Sequence, residues 1–419
     1  MKRKTRRKLK KVPVVITLLL IVLIVVLVIL LFKNNNKDEN VLKDSPKNYY
    51  NQYVKTKDDT LLYNDEDEKV GLIAKNVELE LEEIDINKDT KYFKTIINNK
   101  EYYIDYKNLE KISDLSEINN RYKNYIVFNE NIITDENTSF YDDNNNLVYE
   151  ISESFNLPII IKNEDTYGVE FNGYLLYVKK DDVEKIIDSQ NTEEKNSTGV
   201  PVLNYHFAYE ESDTSCNEEI CHSATQIKEH FSYIKDNNFF TPTMEELEMY
   251  IDGKIQLPQK SVSITFDDGT RAEVAKKYVD MYEINATLFL ITSWFNKDDF
   301  ESDYFEVHSH GDNIHGGGVC PGGQGGAIKC MEEDKLLADL KLSREKLNNT
   351  TVFCYPFYEY NEYSIEMLKK AGFTMAFAGE RAGGEITVKV NADKYRLPRW
   401  VIVNWTTKDQ FISYVNGGS

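Results

Sequence analysis

The sequence predicts a multi-domain chain in which one transmembrane helix and two small all-β modules precede a C-terminal α/β domain. Three observations predict this organisation. Residues 12–32 form an uninterrupted apolar run, and residues 52–113 and 124–187 are related segments of short alternating strands. In residues 200–419, apolar strands alternate with amphipathic helices, a pattern typical of a sheet covered by helices.

The N-terminus is predicted to anchor the chain in a membrane. Residues 1–11 carry eight Lys or Arg side chains, and residues 12–32 carry no charge. As a helix this run would be about 31 Å long at about 1.5 Å per residue, which is enough to cross a bilayer. The basic flank favours a cytoplasmic tail, so we expect a single-pass cell-membrane protein with the remainder outside the cell. A cleaved signal peptide is the alternative.

The charge of the extracellular part is strongly acidic. Without residues 1–33, 41 basic side chains stand against 70 acidic ones, a net charge of −29. Nucleic acid is therefore excluded as a partner, because phosphate binding needs a basic face. The balance favours a soluble body that an anionic membrane or wall would repel.

The two β-rich segments are related to each other. Both contain the pattern T-x-x-x-T-x-x-Y near the start, at residues 56–63 and 134–141, and both have Glu-Lys-Ile near the end. Short strands with Asn, Asp and Gly turns predict two small β barrels, which resemble bacterial SH3-like domains. The resemblance implies binding to the cell wall or a glycan, and a spacer is the alternative. Polar linkers are predicted at residues 33–51 and 188–199.

The central candidate motif is SVSITFDDGT, residues 261–270. Alternating apolar residues predict a buried strand that ends on Asp267 and Asp268. Successive side chains of a strand point in opposite directions, so one carboxylate can bind a metal while the other acts as a base. Gly269 allows a sharp turn directly afterwards. Taken alone, the stretch is also compatible with an ordinary Asp-Gly turn.

A second motif, FEVHSHGDNIH, occupies residues 305–315 and contains three of the six histidines. His310 and His315 lie five residues apart on a loop that leaves an apolar strand. Two imidazoles and one carboxylate would form a three-ligand site with an open position, the pattern of a catalytic zinc. A chance cluster of surface histidines is the alternative. The remaining histidines with a predicted structural role are His222, His230 and His308.

A third motif, FCYPFYEYN at residues 353–361, follows TFDDG and SHGDNIH in the order found in polysaccharide deacetylases. From Gly199 to about Phe411 the chain resembles this family, also called the NodB homology or carbohydrate esterase 4 family. The resemblance implies a distorted, partly open (β/α) barrel with its site at the C-terminal strand ends.

The resemblance also implies roles for individual residues. It makes Asp267 the general base and assigns the metal to three ligands: Asp268, His310 and His315. Zn²⁺ is the expected ion, and Co²⁺, Ni²⁺ or Fe²⁺ fit the same ligands.

Other roles concern the acid and the oxyanion. Deacetylation needs a group that protonates the leaving amine, but no histidine follows His315, so the late histidine of many relatives is absent. The poly-N-acetylglucosamine deacetylase branch carries a histidine in its opening strand, which implies His206 as the acid here, with a structural histidine as the alternative. The family places the oxyanion donor at the Phe357 N–H. The usual arginine before this motif is missing. We nominate Arg399, with Arg396 as second choice, to keep the catalytic acidic residue ionised, and a surface charge is the alternative.

The chain has five cysteines, and the predicted location outside the membrane permits disulfides. Cys216–Cys221 and Cys320–Cys330 are the predicted local pairs, which leaves Cys354 buried and free. The second pair would close a glycine-rich loop, residues 316–330, beside the metal. No Lys-Ser/Thr follows this loop, so it is not a phosphate-binding loop but a candidate substrate lip.

Together these features predict a membrane-anchored, extracellular, metal-dependent hydrolase. It would remove N-acetyl groups from N-acetylglucosamine residues of peptidoglycan or poly-N-acetylglucosamine. Trp294 is predicted to line the pocket, while Trp400 and Trp405 are candidates for a sugar-binding floor or for the core. An O-acetyl esterase acting on a cell-surface glycan is one alternative. A wall-binding protein with a degenerate deacetylase domain is the other, favoured by the missing late histidine and motif arginine.

Overall fold

A computed structural model describes residues 45–83, 85–87, 89–116 and 120–418. The predicted tail, residues 1–11, and the predicted transmembrane segment, residues 12–32, lie outside the described residues. Within the described ranges, the helices are all too short or too polar to traverse a bilayer.

The strands and helices of the described residues are numbered in chain order. The strands that precede the α/β part are β1 (Tyr53–Thr56), β2 (Thr60–Tyr63), β3 (Lys69–Ile73), β4 (Glu78–Glu80), β5 (Tyr92–Ile97), β6 (Lys100–Asp105), β7 (Leu109–Lys111), β8 (Glu130–Thr134), β9 (Thr138–Tyr141), β10 (Leu147–Ile151), β11 (Asn156–Pro158), β12 (Ile161–Lys162), β13 (Thr166–Phe171), β14 (Tyr174–Lys179) and β15 (Val183–Asp188). The later strands are β16 (Val202–Tyr205), β17 (Phe207–Tyr209), β18 (Cys221–Ser223), β19 (Ser263–Asp268), β20 (Ala286–Leu290), β21 (Phe305–Ser309), β22 (Val352–Cys354), β23 (Met375–Phe377) and β24 (Trp400–Val401). The helices are α1 (Ala224–Asp236), α2 (Met244–Ile251), α3 (Ala272–Tyr282), α4 (Glu333–Lys346), α5 (Glu362–Ala371) and α6 (Lys408–Val415).

The described residues form two compact units. The first contains the described residues up to 116 together with residues 135–154 and 171–176. Its strands pair antiparallel in the orders β9-β10-β3-β2-β6-β5 and β4-β1-β7. Burial alternates along β1 and β2, as the period-two sequence pattern requires for strands with one buried face.

A buried threonine has the same role in each copy of the repeated pattern. The Thr56 hydroxyl accepts a hydrogen bond from the Val77 N–H at 2.9 Å, and the Thr134 hydroxyl accepts one from the Phe155 N–H at 2.9 Å. Donor and acceptor are 21 residues apart in both cases. The shared sequence pattern therefore reflects a shared local structure, while the SH3-like architecture and the domain boundaries stay predictions.

The second unit contains the described residues from 120 to 134, with residues 155–170 and 177–418. Strands β11, β8 and β15 form a small antiparallel sheet in it. Its main feature is a parallel sheet in the order β23-β22-β21-β20-β19-β16-β24. This curled parallel half-barrel confirms the α/β prediction for the C-terminal part.

One short segment bridges the two edges of the curled sheet. Leu397 pairs with Phe377 of β23, and Trp400 pairs with Leu203 of β16. Arg399 lies between these two pairings, and its side chain is completely buried. The closure of the half-barrel thus carries an arginine into its interior.

Helix ends in this unit are fixed by the side chains that the sequence supplies. Thr243 and Glu246 form a capping box at the start of α2, in which each side chain accepts a backbone N–H. Asn361 and Ser364 form the equivalent box on α5, which ends at Gly372 with a φ of 89°. These caps set where the loops at the sheet edge begin.

Candidate active site

The carboxyl ends of the parallel strands bring the candidate residues together. Asp267 and Asp268 end β19, His310 directly follows β21, and His206 directly follows β16. The Pro356–Tyr358 turn follows β22. Because parallel strands end at one edge of the sheet, residues far apart in sequence meet there.

Asp268, His310 and His315 converge on one point. Asp268 Oδ1 lies 3.3 Å from His310 Nε2 and 3.1 Å from His315 Nε2. Asp268 has a φ of 75°, and Gly269 follows with a φ of 98°. This left-handed turn ends the strand where the second carboxylate meets the two imidazoles.

The protonation of His310 is set by its other nitrogen. The Nδ1–H donates to the Cys354 carbonyl at 2.8 Å, since a carbonyl oxygen can only accept. Nε2 is therefore the nitrogen that faces Asp268. A backbone carbonyl on the opposite nitrogen is the usual support of a metal-binding histidine.

These three residues fit a divalent cation. Asp268 Oδ1 is buried and has no hydrogen-bond partner among the described residues, although two imidazole nitrogens lie close to it. Burial raises the pKa of Asp268, but the imidazoles of His310 and His315 outweigh burial and hold it well below its usual range. The ligand atoms lie within 4.8 Å of one another, and the two-nitrogen, one-oxygen set suits Zn²⁺ with an open position.

The loop that carries His310 and His315 is held by two acidic residues that the sequence analysis missed. The Asp339 carboxylate accepts the backbone N–H groups of Asp312 at 2.8 Å and Asn313 at 2.7 Å. The Asp312 carboxylate accepts the Thr292 hydroxyl at 2.7 Å. Asp312 lies inside the histidine motif and could have been noticed there, whereas Asp339 has no local signature.

Asp267 is paired with Arg399. Arg399 Nη1 lies 2.7 Å from Asp267 Oδ1, and Nη2 lies 2.9 Å from Oδ2, so the contact is bidentate. Burial alone would raise the pKa of Asp267, but the guanidinium and nearby imidazoles lower it overall. Arg399 Nε also donates to the Ala378 carbonyl at 2.9 Å, which fixes the orientation of the guanidinium group. Arg396, the second choice, pairs instead with Glu362 and Asp393.

His206 lies beside the same carboxylate. Its Nε2 is 3.9 Å from Asp267 Oδ2, and its Nδ1 is buried with no hydrogen-bond partner among the described residues. Burial lowers the pKa of His206, and the negative charges of Asp267 and Asp268 oppose this only in part. The free imidazole is therefore neutral at pH 7 and close enough to exchange a proton with Asp267 after a small movement.

Phe357 stands next to the metal ligands. Its φ of 57° is left-handed, and its ring centroid lies 4.6 Å from that of His315. The neighbouring Tyr358 also has a left-handed φ of 61° and donates its hydroxyl to Asn204 Oδ1 at 2.8 Å. The hydrogen bond to β16 holds a turn whose backbone would otherwise be strained.

The free cysteine lies against the candidate base. Cys354 is fully buried, with its Sγ 2.9 Å from Arg399 Nη2 and 3.6 Å from Asp267 Oδ2. Burial raises the pKa of its thiol, so the sulfur is protonated at neutral pH. The sequence predicted a buried free cysteine but gave no indication of this contact.

The other histidines have structural partners, as predicted. His230 bonds the Tyr205 hydroxyl at 2.9 Å through Nδ1 and stacks on Phe411 at 3.8 Å. His222 Nδ1 lies 3.2 Å from the Gln226 side-chain oxygen. Burial lowers the pKa of His222 to about 3 and that of His230 to about 4. His308 Nδ1 lies 2.6 Å from the Thr350 hydroxyl, outside the ligand cluster.

Both predicted disulfides, Cys216–Cys221 and Cys320–Cys330, are present. The second closes the glycine-rich loop, whose backbone is also held by a carboxylate. Glu359 accepts the N–H groups of Gln324 and Gly326, each at 2.6 Å. The loop therefore has two anchors, of which the sequence indicated one.

Fold and site together define a hydrolase-type α/β domain in which two histidines and an aspartate, a candidate metal site, lie beside a second buried carboxylate. Residues 254–376 match the family model described as polysaccharide deacetylase. The chain contains a polysaccharide deacetylase domain, which confirms the resemblance seen in the motifs. The matched segment includes Asp267 and the three candidate metal ligands but neither His206 nor Arg399.

Similar proteins include one curated relative and several solved structures. YxkH of Bacillus subtilis (strain 168), whose name assigns it to the polysaccharide deacetylases, is 24% identical over 186 residues, covering 43% of this chain and 64% of the relative. A de-N-acetylase from Aggregatibacter actinomycetemcomitans is 22% identical with a TM-score of 0.45, covering 51% of this chain and 99% of that chain. IcaB from Ammonifex degensii is 19% identical with a TM-score of 0.44, covering 54% of this chain and 99% of that chain.

Proposed function

We propose that this protein is a metal-dependent N-deacetylase that acts on N-acetylglucosamine residues of an extracellular polysaccharide, either peptidoglycan or poly-N-acetylglucosamine. The observation that carries the proposal is the convergence of Asp268, His310 and His315 directly beside Asp267, which Arg399 keeps ionised. A ligand set with an open position next to a separate charged base suits hydrolysis better than a structural metal role.

The metal would be held by Asp268, His310 and His315, and when bound it would supply Lewis-acid polarisation of the acetyl group and an acidified water. Asp267 accepts the proton of the attacking water, because its pKa lies below the working range and its carboxylate is fixed by Arg399. Zn²⁺ is the first candidate, and Co²⁺, Ni²⁺ or Fe²⁺ suit the same ligands.

His206 would then deliver a proton to the leaving nitrogen. An amide anion is a very poor leaving group, so cleavage requires that this nitrogen be protonated as the bond breaks. His206 Nε2 lies 3.9 Å from Asp267 Oδ2, so the water-derived proton can pass from Asp267 through His206 to the nitrogen. The Phe357 N–H would stabilise the developing oxyanion. Acetate and a free amine result.

Two observations support this proposal over the alternatives. A proton donor beside the base favours amide over ester cleavage, since an alkoxide needs less help to leave than an amide nitrogen. His206 and Arg399 also supply the acid and the arginine whose absence from the usual motif positions motivated the non-catalytic alternative. His206 and Arg399 would therefore replace the missing histidine and arginine from other parts of the sheet.

We also propose that residues 12–32 anchor the chain in the cell membrane and that the β-rich segments bind the wall or space the enzyme from it. The two disulfides support an oxidising compartment for the part that contains the site. Fractionation of cells, followed by protease treatment of intact cells, would test this placement.

The test of the proposed activity combines metal analysis with acetate release. The full chain in detergent is expected to hold about one metal ion and to release acetate from chitooligosaccharide or peptidoglycan. Chelation should abolish release, and added Zn²⁺ should restore it. Asp267→Asn should keep the metal and lose activity, whereas His315→Gln should lose both. Acetate released only from acetylated xylan would indicate an esterase, and absence of both metal and acetate would indicate a non-catalytic protein.

A further inference from the structure

An exposed tryptophan stands beside the metal ligands. Trp294 is 52% exposed, and its ring centroid lies 5.6 Å from that of His315 at an interplanar angle of 65°. The Phe357 ring also lies next to His315, with the two ring centroids 4.6 Å apart. Solvent exposure alone does not identify a binding residue, because Trp405 is 61% exposed as well. The position next to a metal ligand distinguishes Trp294.

The backbone that carries Trp294 is tied to the metal loop. The Thr292 N–H donates to the Gly311 carbonyl at 3.1 Å, and the Ser293 N–H donates to the Asp312 carbonyl at 3.2 Å. Trp294 N–H donates to the Ile291 carbonyl at 3.0 Å. The indole is therefore presented on a fixed support, which reduces the ordering cost of binding a ligand to it.

A cavity of about 360 Å³ continues from this tryptophan. It is lined by residues 292–297 together with Lys346 and Leu347. Cavities of this size, roughly 300 Å³ or more, accommodate small ligands. The lining combines the aromatic residue Trp294 with polar residues, among them Ser293 and Asn296, and with two lysines, Lys297 and Lys346. An apolar face flanked by hydroxyl and amide groups matches a pyranose ring, which has an apolar face and a polar rim.

We propose that Trp294 and this cavity bind the sugar next to the one that loses its acetyl group. This inference rests on the proposed function and names a second binding position for its polymer. The indole would pack against the apolar face of the neighbouring pyranose, while the reacting acetyl group would lie at the site formed by Asp268, His310 and His315. The enzyme would then prefer oligomers to a single sugar.

The test compares Trp294→Ala and Trp294→Phe with a control, Met281→Ala, which removes another exposed apolar side chain, 59% exposed on α3. Acetate release is measured on chitopentaose and on a small aryl acetate by the metal-loaded full chain. Trp294→Ala is expected to lower the ratio of the two kcat/KM values about tenfold, mainly through KM, a change of about 1.4 kcal/mol. Trp294→Phe should keep part of the ratio, and Met281→Ala should leave it unchanged.

A binding measurement separates this inference from the proposed activity. Titration calorimetry with chitopentaose is carried out on the full chain carrying Asp267→Asn, with and without Trp294→Ala. Affinity about tenfold weaker in the double variant supports the inference, even where no substrate releases acetate. Equal affinities, or a tenfold loss also caused by Met281→Ala, would overturn it. Loss of acetate release in the wild-type chain bears on the proposed function alone.

Discussion

Arg399 controls the state of Asp267 through a fully buried bidentate contact. Arg399→Lys would keep the charge but lose the two-pronged geometry. We expect kcat/KM at neutral pH to fall about 10- to 100-fold, because the base is no longer held in place. A base works only when ionised, so activity rises as the pH passes its pKa. Weaker pairing raises that pKa, and the acid limb of the pH profile should move to higher pH.

The pH profile of kcat/KM, with the metal content measured at each pH, checks this expectation. Arg396→Lys is the control, since Arg396 pairs with Glu362 and Asp393 away from the base. The Asp267–Arg399 ion pair should also make the stability of the fold depend on pH. The pKa of Asp267 is lower in the folded protein than the value of about 3.9 expected in the unfolded chain. Its ionised form therefore stabilises the fold above that unfolded-state value, and this stabilisation is lost as the pH falls through the folded-state pKa. An unmoved acid limb in Arg399→Lys would refute the assigned role.

Loss of the His206 imidazole should reduce amide cleavage more than ester cleavage. His206→Gln is expected to lower kcat on an N-acetyl substrate about 10²- to 10⁴-fold, the usual contribution of a general acid. An aryl acetate should lose much less, because its phenoxide leaves without a proton.

His308→Gln is the matched control, because His308 bonds Thr350 and lies outside the ligand cluster. Rates on both substrates, measured across pH, provide the check. Equal losses on the amide and on the aryl acetate would show that His206 has a structural or binding role instead.

The glycine-rich loop is anchored by Glu359 as well as by Cys320–Cys330. A Cβ on Gly323 would lie 1.7 Å from Glu359 Oε1, whereas one on Gly322 would meet no atom within 4 Å. Both glycines have a left-handed φ, so Ala at either position costs about 1–2 kcal/mol of backbone strain. Only Gly323→Ala should also displace the carboxylate, which lowers the free energy of unfolding by a further roughly 1–3 kcal/mol.

Urea unfolding of the two variants measures the difference directly. Gly322→Ala controls for strain, so the excess loss in Gly323→Ala reports the Glu359 anchor. Indistinguishable midpoints would mean that Glu359 adds no stability to the loop. A larger rise in KM for the polymer in Gly323→Ala would further support the loop as a substrate lip.

The sequence anticipated parts of the site whose residues follow directly from strand ends. Asp268 ends one predicted strand, His310 and His315 lie on the loop that follows another, and parallel strands bring such positions together. The Asp267–Arg399 contact depends instead on a segment that closes the sheet between its two edge strands. That closure leaves no periodic signal in the sequence, so Arg399 could only be nominated as one of two arginines.

Supporting carboxylates were harder to anticipate. Asp339 and Glu359 hold backbone N–H groups of loops 20 or more residues away, at Asp312 and Gln324. An acidic residue on a helix or turn is most often a solvated one, and nothing local distinguishes the exceptions. The repeated threonines were easier to notice in the sequence, because Thr56 and Thr134 each accept a backbone N–H within their own repeat.

Residues 120–134 belong to the same compact unit as the parallel sheet, and one buried carboxylate joins them to α2. Glu246 is 5% exposed and accepts hydrogen bonds from Arg121 Nε and from the Tyr125 hydroxyl, each at 2.8 Å. The same carboxylate accepts the Thr243 N–H that caps α2. Removing Arg121 would leave a buried charge short of partners, so the stability of the sheet should depend on a side chain far from the site.

Arg121→Ala is expected to lower the free energy of unfolding by about 1–3 kcal/mol, because a buried acceptor loses its charged donor. Lys123→Ala, two residues away and exposed, should change it by less than about 0.5 kcal/mol. In a double-mutant cycle with Glu246→Gln, the effect of Arg121→Ala should shrink, since the neutral amide needs the guanidinium less. Additive effects in urea unfolding would mean that the two residues are independent and that residues 120–134 are joined to the sheet by other contacts. Activity per folded molecule should be unchanged, because the ion pair acts on how much of the protein is folded and not on the chemistry.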